Sequence, residues 1–249
     1  MILPVVTVEQ AKGVLTLTLN RPKAANALSL DMAEAILAAL EASRDVQLAV
    51  IKGGGRNYCA GFDLSDVAAV SDGDLLWRFV RIEAMLQAVH HAPFPTLALA
   101  QGHAIGAGAD LFTACSQRVM TPDAKLRFPG WHFELALGSR RLTRLVGRDF
   151  AQDILIDART ISAQEAAQSG LASAIAPQDN WPAMIDQFMK RTGQLPAFSV
   201  QAMRGLTTCD SRAEDMAAVV ATAGRPGLKK RILGYQAAVA SEREKRRQA

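Results

Sequence analysis

Apolar and polar positions follow two different periods along the chain. In GVLTLTLNRP (13–22), Leu15, Leu17 and Leu19 alternate with Val14, Thr16 and Thr18, the period-two pattern of a half-buried strand, and Asn20 and Pro22 end it. Ser29 then offers an N-cap to LDMAEAILAALEAS, where apolar residues return at helical spacing. LAVIKGGG (48–55) has the length of a buried strand and runs into glycines. A helix is predicted over about 74–91, PTLALAQG (95–102) is a third core strand, and the pattern turns helical again after Gly106. Such alternation predicts right-handed crossover units around a parallel-rich sheet. From about Gly138 onward the pattern is almost entirely helical. Ser162 and Glu165 in ISAQEAAQSGL read as a capping box with Gly170 as the C-cap. The segments 181–192, 199–206, 210–223 and 227–246 also read as helices, broken near Pro196 and around Gly224–Gly227. The expectation is an α/β core over 1–190 followed by a helical region over 191–249.

The 249 residues are 49% hydrophobic and 21% charged, enough for one sizeable core. The longest apolar runs, such as TLALA, have strand length and cannot span a bilayer. MILPVVTVEQ lacks a basic stretch followed by an apolar one, so no secretory signal is expected. Cys59, Cys115 and Cys209 are odd in number and widely spaced, without metal-ligand pairing. They read as reduced packing residues of a cytoplasmic protein. The net charge of +4 is uneven: from Arg225 onward eight Lys or Arg face two Glu, giving +6 and leaving −2 elsewhere. That tail is either a solvated helix end or a binder of phosphates, nucleic acid or a membrane surface. With 6% aromatic residues and no stacking cluster beside the basic run, nucleic acid is the lesser reading.

Candidate chemistry lies where two strands end. GGGRNYCAGFDL (53–64) and QGHAIGAGADL (101–111) each place small residues at a strand terminus, where glycine lets a backbone approach a ligand closely. If the two turns are neighbours, each can aim a free N–H at one point and form an oxyanion hole, helped by the dipole of a helix starting near Ala107. No complete G-x-G-x-x-G occurs there, and no phosphate loop of the G-x-x-x-x-G-K-[ST] type occurs anywhere. Asp110, a lone acid among small and apolar side chains, is either a general base or acid, or a local cap bonded to nearby amides.

LTLNRPKAANALSLDM, NYCAGFDL, GHAIGAGADL, RRLTRLVG and ISAQEAAQSGLAS stand in the order and spacing of the enoyl-CoA hydratase/isomerase (crotonase) family, which the chain resembles over roughly residues 5–245. The resemblance implies a spiral of ββα units with a helical C-terminal trimerisation region, assembled as a homotrimer or a dimer of trimers. It implies an acyl-CoA substrate, no tightly bound cofactor beyond the coenzyme A of that substrate, and no metal. The oxyanion donors would be the backbone N–H groups of Phe62 and Ala107. Lys23, Ala24, Ala25, Ala60 and Leu64 would line the coenzyme A path, with Asp63 and Gly106 beside it, and the basic C-terminal helix would cover it. Asp110 matches a catalytic glutamate of the family's hydratases and would share one helical face with Ala107.

The chain also departs from the family pattern. The hydratases carry a second glutamate, and counting from Asp110 its position falls on Gly130, with a loop about three residues shorter before GSRRLTRLVG. Glu134 or His132 could substitute, or both could serve only the surface or the packing. Trp131 and Phe133 either wall an acyl pocket or fill the core. Asp63 is a turn cap or a catalytic group. His90 and His91 end a helix, where cations suit the dipole, and they and His103 are assigned no chemistry. The expected reaction is hydration of a 2-enoyl-CoA or its reverse. Double-bond isomerisation, or hydrolytic or decarboxylative chemistry with one carboxylate, is the alternative; a non-catalytic CoA- or nucleic-acid-binding protein is a third.

Overall fold

The computed structural model describes residues 3–248, except the side chains of Arg243, Arg246, Arg247 and Gln248. Alternation at the N-terminus becomes a hairpin: β1 (Val6–Ala11) pairs antiparallel with β2 (Val14–Leu19), whose leucines are all buried. Ser29 accepts a hydrogen bond from Met32 N and starts α1 (Leu30–Ala42), which buries Met32, Ala33, Ile36 and Leu37. Then come β3 (Leu48–Gly53), α2 (Asp72–His90), β4 (Thr96–Ala100), β5 (His103–Ile105) and α3 (Ala107–Ala114). β6 (Gln117–Met120) and β7 (Lys125–Arg127) follow.

The main sheet runs β1-β2-β3-β4-β6-β9, with β9 spanning Ala174–Ile175, and every pairing after the first hairpin is parallel. A second sheet, β5-β7-β8, is closed by β8 (Ile161–Ser162). These two short strands correct the expectation of an almost purely helical second half: Ile161–Ser162 and Ala174–Ile175 are too short to show a period but complete sheet edges. The capping box at 162–165 also forms only halfway. Ser162 accepts from Glu165 N, whereas the Glu165 carboxylate pairs with Arg159 at 2.6 Å. Gly170, just past the helix, has the expected positive φ of 78°.

Helices α4 (Ser139–Val146), α5 (Arg148–Asp157) and α6 (Ala163–Gln168) precede α7 (Trp181–Thr192), whose Trp181, Met184, Ile185 and Phe188 pack on Leu48, Val50, Leu97, Leu99 and Val119 of the sheet. After α8 (Ala197–Thr207), α9 (Arg212–Ala223) and α10 (Leu228–Gln248) return to pack against α2. The start of α10 is capped from α2: the Asp72 carboxylate accepts from Gly227 N (2.9 Å) and Lys229 N (2.8 Å). The +6 reading of the tail falls partly on Arg243, Arg246 and Arg247, whose side chains lie outside the described residues.

Two expectations about single residues are corrected. Cys59 and Cys115 are buried packing thiols, but Cys209 is exposed. His90 does not serve the helix end as a cation, because burial pushes its pKa down to about 4.

Candidate active site

The two glycine-rich turns are joined by backbone pairing. Cys59 N donates to His103 O (3.0 Å) and Ile105 N donates to Cys59 O (2.9 Å), so the turns leave this short ladder side by side. Beyond it Gly61 (φ +94°) lies so near the second turn that an added Cβ would collide with Ile105 O and sit 3.5 Å from Ala107 N. A side chain there would push the turns apart. Phe62 and Ala107 line one cavity of about 380 Å³, and neither amide donates a hydrogen bond to a described residue. Ala107 is the first residue of α3, where geometry leaves the N–H without an intrahelical acceptor. Phe62 is fixed by its ring, which stacks on Phe79 with centroids 4.3 Å apart.

Asp110 stands one turn along α3 from Ala107 and lines the same cavity. It is 5% exposed, and no described side chain or backbone amide bonds its carboxyl. The local-cap reading therefore does not describe it. Burial drives its pKa well above the usual carboxylate range; Arg141 works against that rise and Glu83 adds to it. Burial thus favours the protonated form of the resting group.

Beneath Asp110 lies a charge network that the sequence reading passed over. Arg141 of α4 forms a bidentate pair with Glu83 of α2 (2.9 and 2.6 Å) and reaches Asp215 of α9 at 3.3 Å. Glu83 and Arg141 are essentially inaccessible; Gln87 also donates to Glu83 Oε1, while Ser211 and Arg140 donate to Asp215 Oδ2 and Oδ1. Its sequence signal was available: Glu83 is the one acid on the buried face of α2 formed by Leu75, Phe79, Ile82, Met85, Leu86 and Val89.

The rest of the cavity is mostly apolar and is roofed by α10. Ile232, Tyr235, Gln236, Val239 and Ala240, spaced as one helical face, look onto it opposite Ile105, Phe133, Leu135 and Leu137. Nothing in the periodicity of 227–246 said where that face would land.

The 3-10 turn Gly130–Phe133 sorts the remaining candidates, because residues three apart share a side. Gly130 and Phe133 line the cavity. Trp131 does not wall it: the residue is 43% exposed and its Nε1 donates to Ser139 Oγ at 3.0 Å. His132 also faces away, its Nε2 lying 2.9 Å from Ile156 O. Glu134 is outside the cavity lining, its carboxylate paired with Arg225 at 2.5 Å and near Arg231 at 3.7 Å. It fastens the turn to the α9–α10 corner. Gly130 leaves its own place empty of any functional group.

On the other side, Lys23 and Ala24 sit exposed in the turn Pro22–Ala24, and Ala25 O accepts from Ala60 N at 2.9 Å. Asn26, a second residue missed from sequence, locks this loop to the neighbouring one by donating to Gly54 O and Asn57 O. Asp63 is a structural carboxylate. Burial works to raise its pKa, but hydrogen bonds from Ser65 and the Arg21 guanidinium at 2.7 Å hold it below the ordinary value. Leu64, Ala60 and Gly106 line the cavity. Among the described residues no cluster of His, Cys, Asp or Glu could hold a metal ion.

A crossover-wound sheet and a second small sheet, which bring two amide-bearing turns over one buried acid, make a crotonase-type fold. The enoyl-CoA hydratase/isomerase family model matches residues 9–223, and the chain belongs to that family. It is 35% identical over 190 residues to a Mycobacterium leprae protein named "probable enoyl-CoA hydratase", covering 72% of this chain and 75% of that one. It is 34% identical over 185 residues to the 2,3-dehydroadipyl-CoA hydratase of Escherichia coli, covering 69% of each. A Bordetella parapertussis crystal structure described as a "putative enoyl-CoA hydratase/isomerase" superposes with a TM-score of 0.92 at 42% identity, over 94% of this chain and 98% of that one.

Proposed function

We propose that this protein adds water to a 2-enoyl-CoA thioester, or removes it in reverse. The observation that carries this reading is the meeting of two unpartnered amides, Phe62 N–H and Ala107 N–H, with the Asp110 carboxyl at one cavity. The thioester oxygen sits between the amides, which gain most when attack at the β-carbon makes it an enolate. Asp110 in its ionised form takes a proton from the attacking water, and then in its neutral form returns that proton to the α-carbon. One carboxyl group serves both transfers, so Gly130 need not be replaced. Burial favours the neutral form, which makes the second transfer easier and the first harder.

A second reading rests on a specific observation: among the described residues Asp110 is the only carboxyl lining the cavity. Moving a double bond from the 3- to the 2-position needs just one base, which takes a proton from the α-carbon and restores it at the γ-carbon. Purified protein supplied separately with crotonyl-CoA and a 3-enoyl-CoA decides between them. Loss of the conjugated thioester absorbance with crotonyl-CoA, abolished in Asp110→Asn, supports hydration. Turnover of the 3-enoyl-CoA alone rejects it in favour of isomerisation.

The same reading runs coenzyme A past the turn of Lys23, Ala24 and Ala25 and beside Ala60 and Leu64, in a cytoplasmic enzyme whose C-terminal helices assemble three copies. The apolar side chains that α8 leaves exposed, Phe198 (80%) and Leu206 (88%), support that assembly. Light scattering giving a monomer mass would remove it.

A further inference from the structure

We infer that the cavity takes an acyl group carrying its own carboxylate, recognised by Arg127. This builds on the thioester reading and names the substrate class within it. Arg127 ends β7 opposite Ile105 of β5, and its carbonyl accepts from Gly106 N at 2.8 Å, so it stands directly beside the turn that presents Ala107. Strand alternation sends Leu126 into the core and puts Lys125 and Arg127 on the other face. Arg127 is one of the residues that line the cavity, together with Ile105, Ala107 and Asp110.

Arg127 is half-buried, and the leucine, isoleucine and phenylalanine side chains on the cavity side offer its cation no anion. Arg127 has none of its own: no described acid lies within 4.0 Å of its guanidinium. Its Nε is held by Ala158 O at 2.5 Å, which fixes the plane of the group while leaving both Nη nitrogens without a described partner. Two parallel N–H donors on one fixed edge are the fork that a carboxylate accepts. Among the described residues Asp110 is the one acid in the lining, and burial favours its neutral form, which makes it a poor counter-ion for Arg127.

The test is calorimetric binding of matched acyl-CoA pairs, each a diacid thioester against the neutral one of equal chain length: succinyl with butyryl, glutaryl with pentanoyl, adipyl with hexanoyl. In the parent protein at least one diacid should bind about tenfold more tightly than its partner. Arg127→Gln should bring that ratio to about one, and Arg127→Lys, which keeps the charge but not the fork, should fall between. Melting curves confirm that the variants are folded, since the Ala158 contact is lost in Arg127→Gln. Equal affinities within every pair, or a preference that survives in folded Arg127→Gln, would overturn the inference and leave the thioester reading standing. Failure of all six thioesters to bind would overturn both.

Discussion

Asp110 and Gly138 share one space: a Cβ added to Gly138 would run into Asp110 Oδ1 and lie 2.7 Å from its Cγ. Gly138 is the N-cap of α4 and has φ +67°, so the start of that helix is built around the carboxyl. Three residues later the same helix supplies Arg141. One short element therefore sets both the place and the electrical surroundings of the acid.

Gly138→Ala should accordingly lose both stability and turnover. The left-handed backbone costs a non-glycine residue roughly 1–2 kcal/mol, and the overlap with Asp110 adds to it. Asp110→Ala relieves the overlap and leaves the backbone cost. A double-mutant cycle read by chemical denaturation should show a coupling of more than about 1 kcal/mol. Strict additivity would mean that the two residues do not compete for the same volume.

Ala107→Pro tests the oxyanion donor without a side-chain change in the chemistry. Proline suits the first position of a helix, where its missing N–H costs nothing structurally. The variant should fold and melt close to the parent, yet lose about 10²–10³ in kcat, the usual cost of one such donor. A folded Ala107→Pro enzyme with parental kcat would remove Ala107 from the mechanism.

Acid-base behaviour follows from the buried network. Hydration starts from ionised Asp110, and burial raises its pKa, so kcat/KM should climb with pH along a limb lying above the ordinary carboxylate range. Glu83 adds to that rise and Arg141 opposes it. Glu83→Gln removes the negative neighbour and leaves the positive one, so the limb should move to lower pH. The variant will also be less stable, by roughly 3–5 kcal/mol if the buried pair is fully disrupted, and circular dichroism must confirm a folded sample. An unmoved limb would show that Asp110 does not feel Glu83.

Much of this was legible because local patterns and tertiary structure agree. The alternation of 14–19, the Ser29 cap, and the glycines after two strands all describe backbone geometry that neighbours need not supply. Asp110 could be singled out because an acid among small residues conflicts with its surroundings. Trp131, His132 and Glu134 were a different problem. Their sides are decided by the phase of a four-residue 3-10 turn and by Arg225, ninety-one positions away, and no period runs through either. Arg127 and the α10 face were unreadable for the same reason: each is ordinary on its own element and acquires meaning only where sheets and helices meet. Glu83 was readable and was overlooked.

Asp110 also links folding to pH. Unfolded, its carboxyl ionises near pH 3.9; folded, burial holds it protonated to much higher pH. Below pH 3.9 both states carry the proton and the group has no pH-linked effect on stability. Above it the folded protein must take up a proton that the unfolded chain lacks. That costs about 1.4 kcal/mol for each pH unit until the folded group itself ionises. Asp110→Asn removes this cost, so the variant should be inactive yet more stable than the parent at pH 7. Its advantage should shrink as the pH falls towards 4. Urea titrations at several pH values measure the gap directly. A gap that stays constant from pH 4 to pH 8 would mean that the carboxyl is ionised in the folded enzyme, and that its starting role is that of a base already poised.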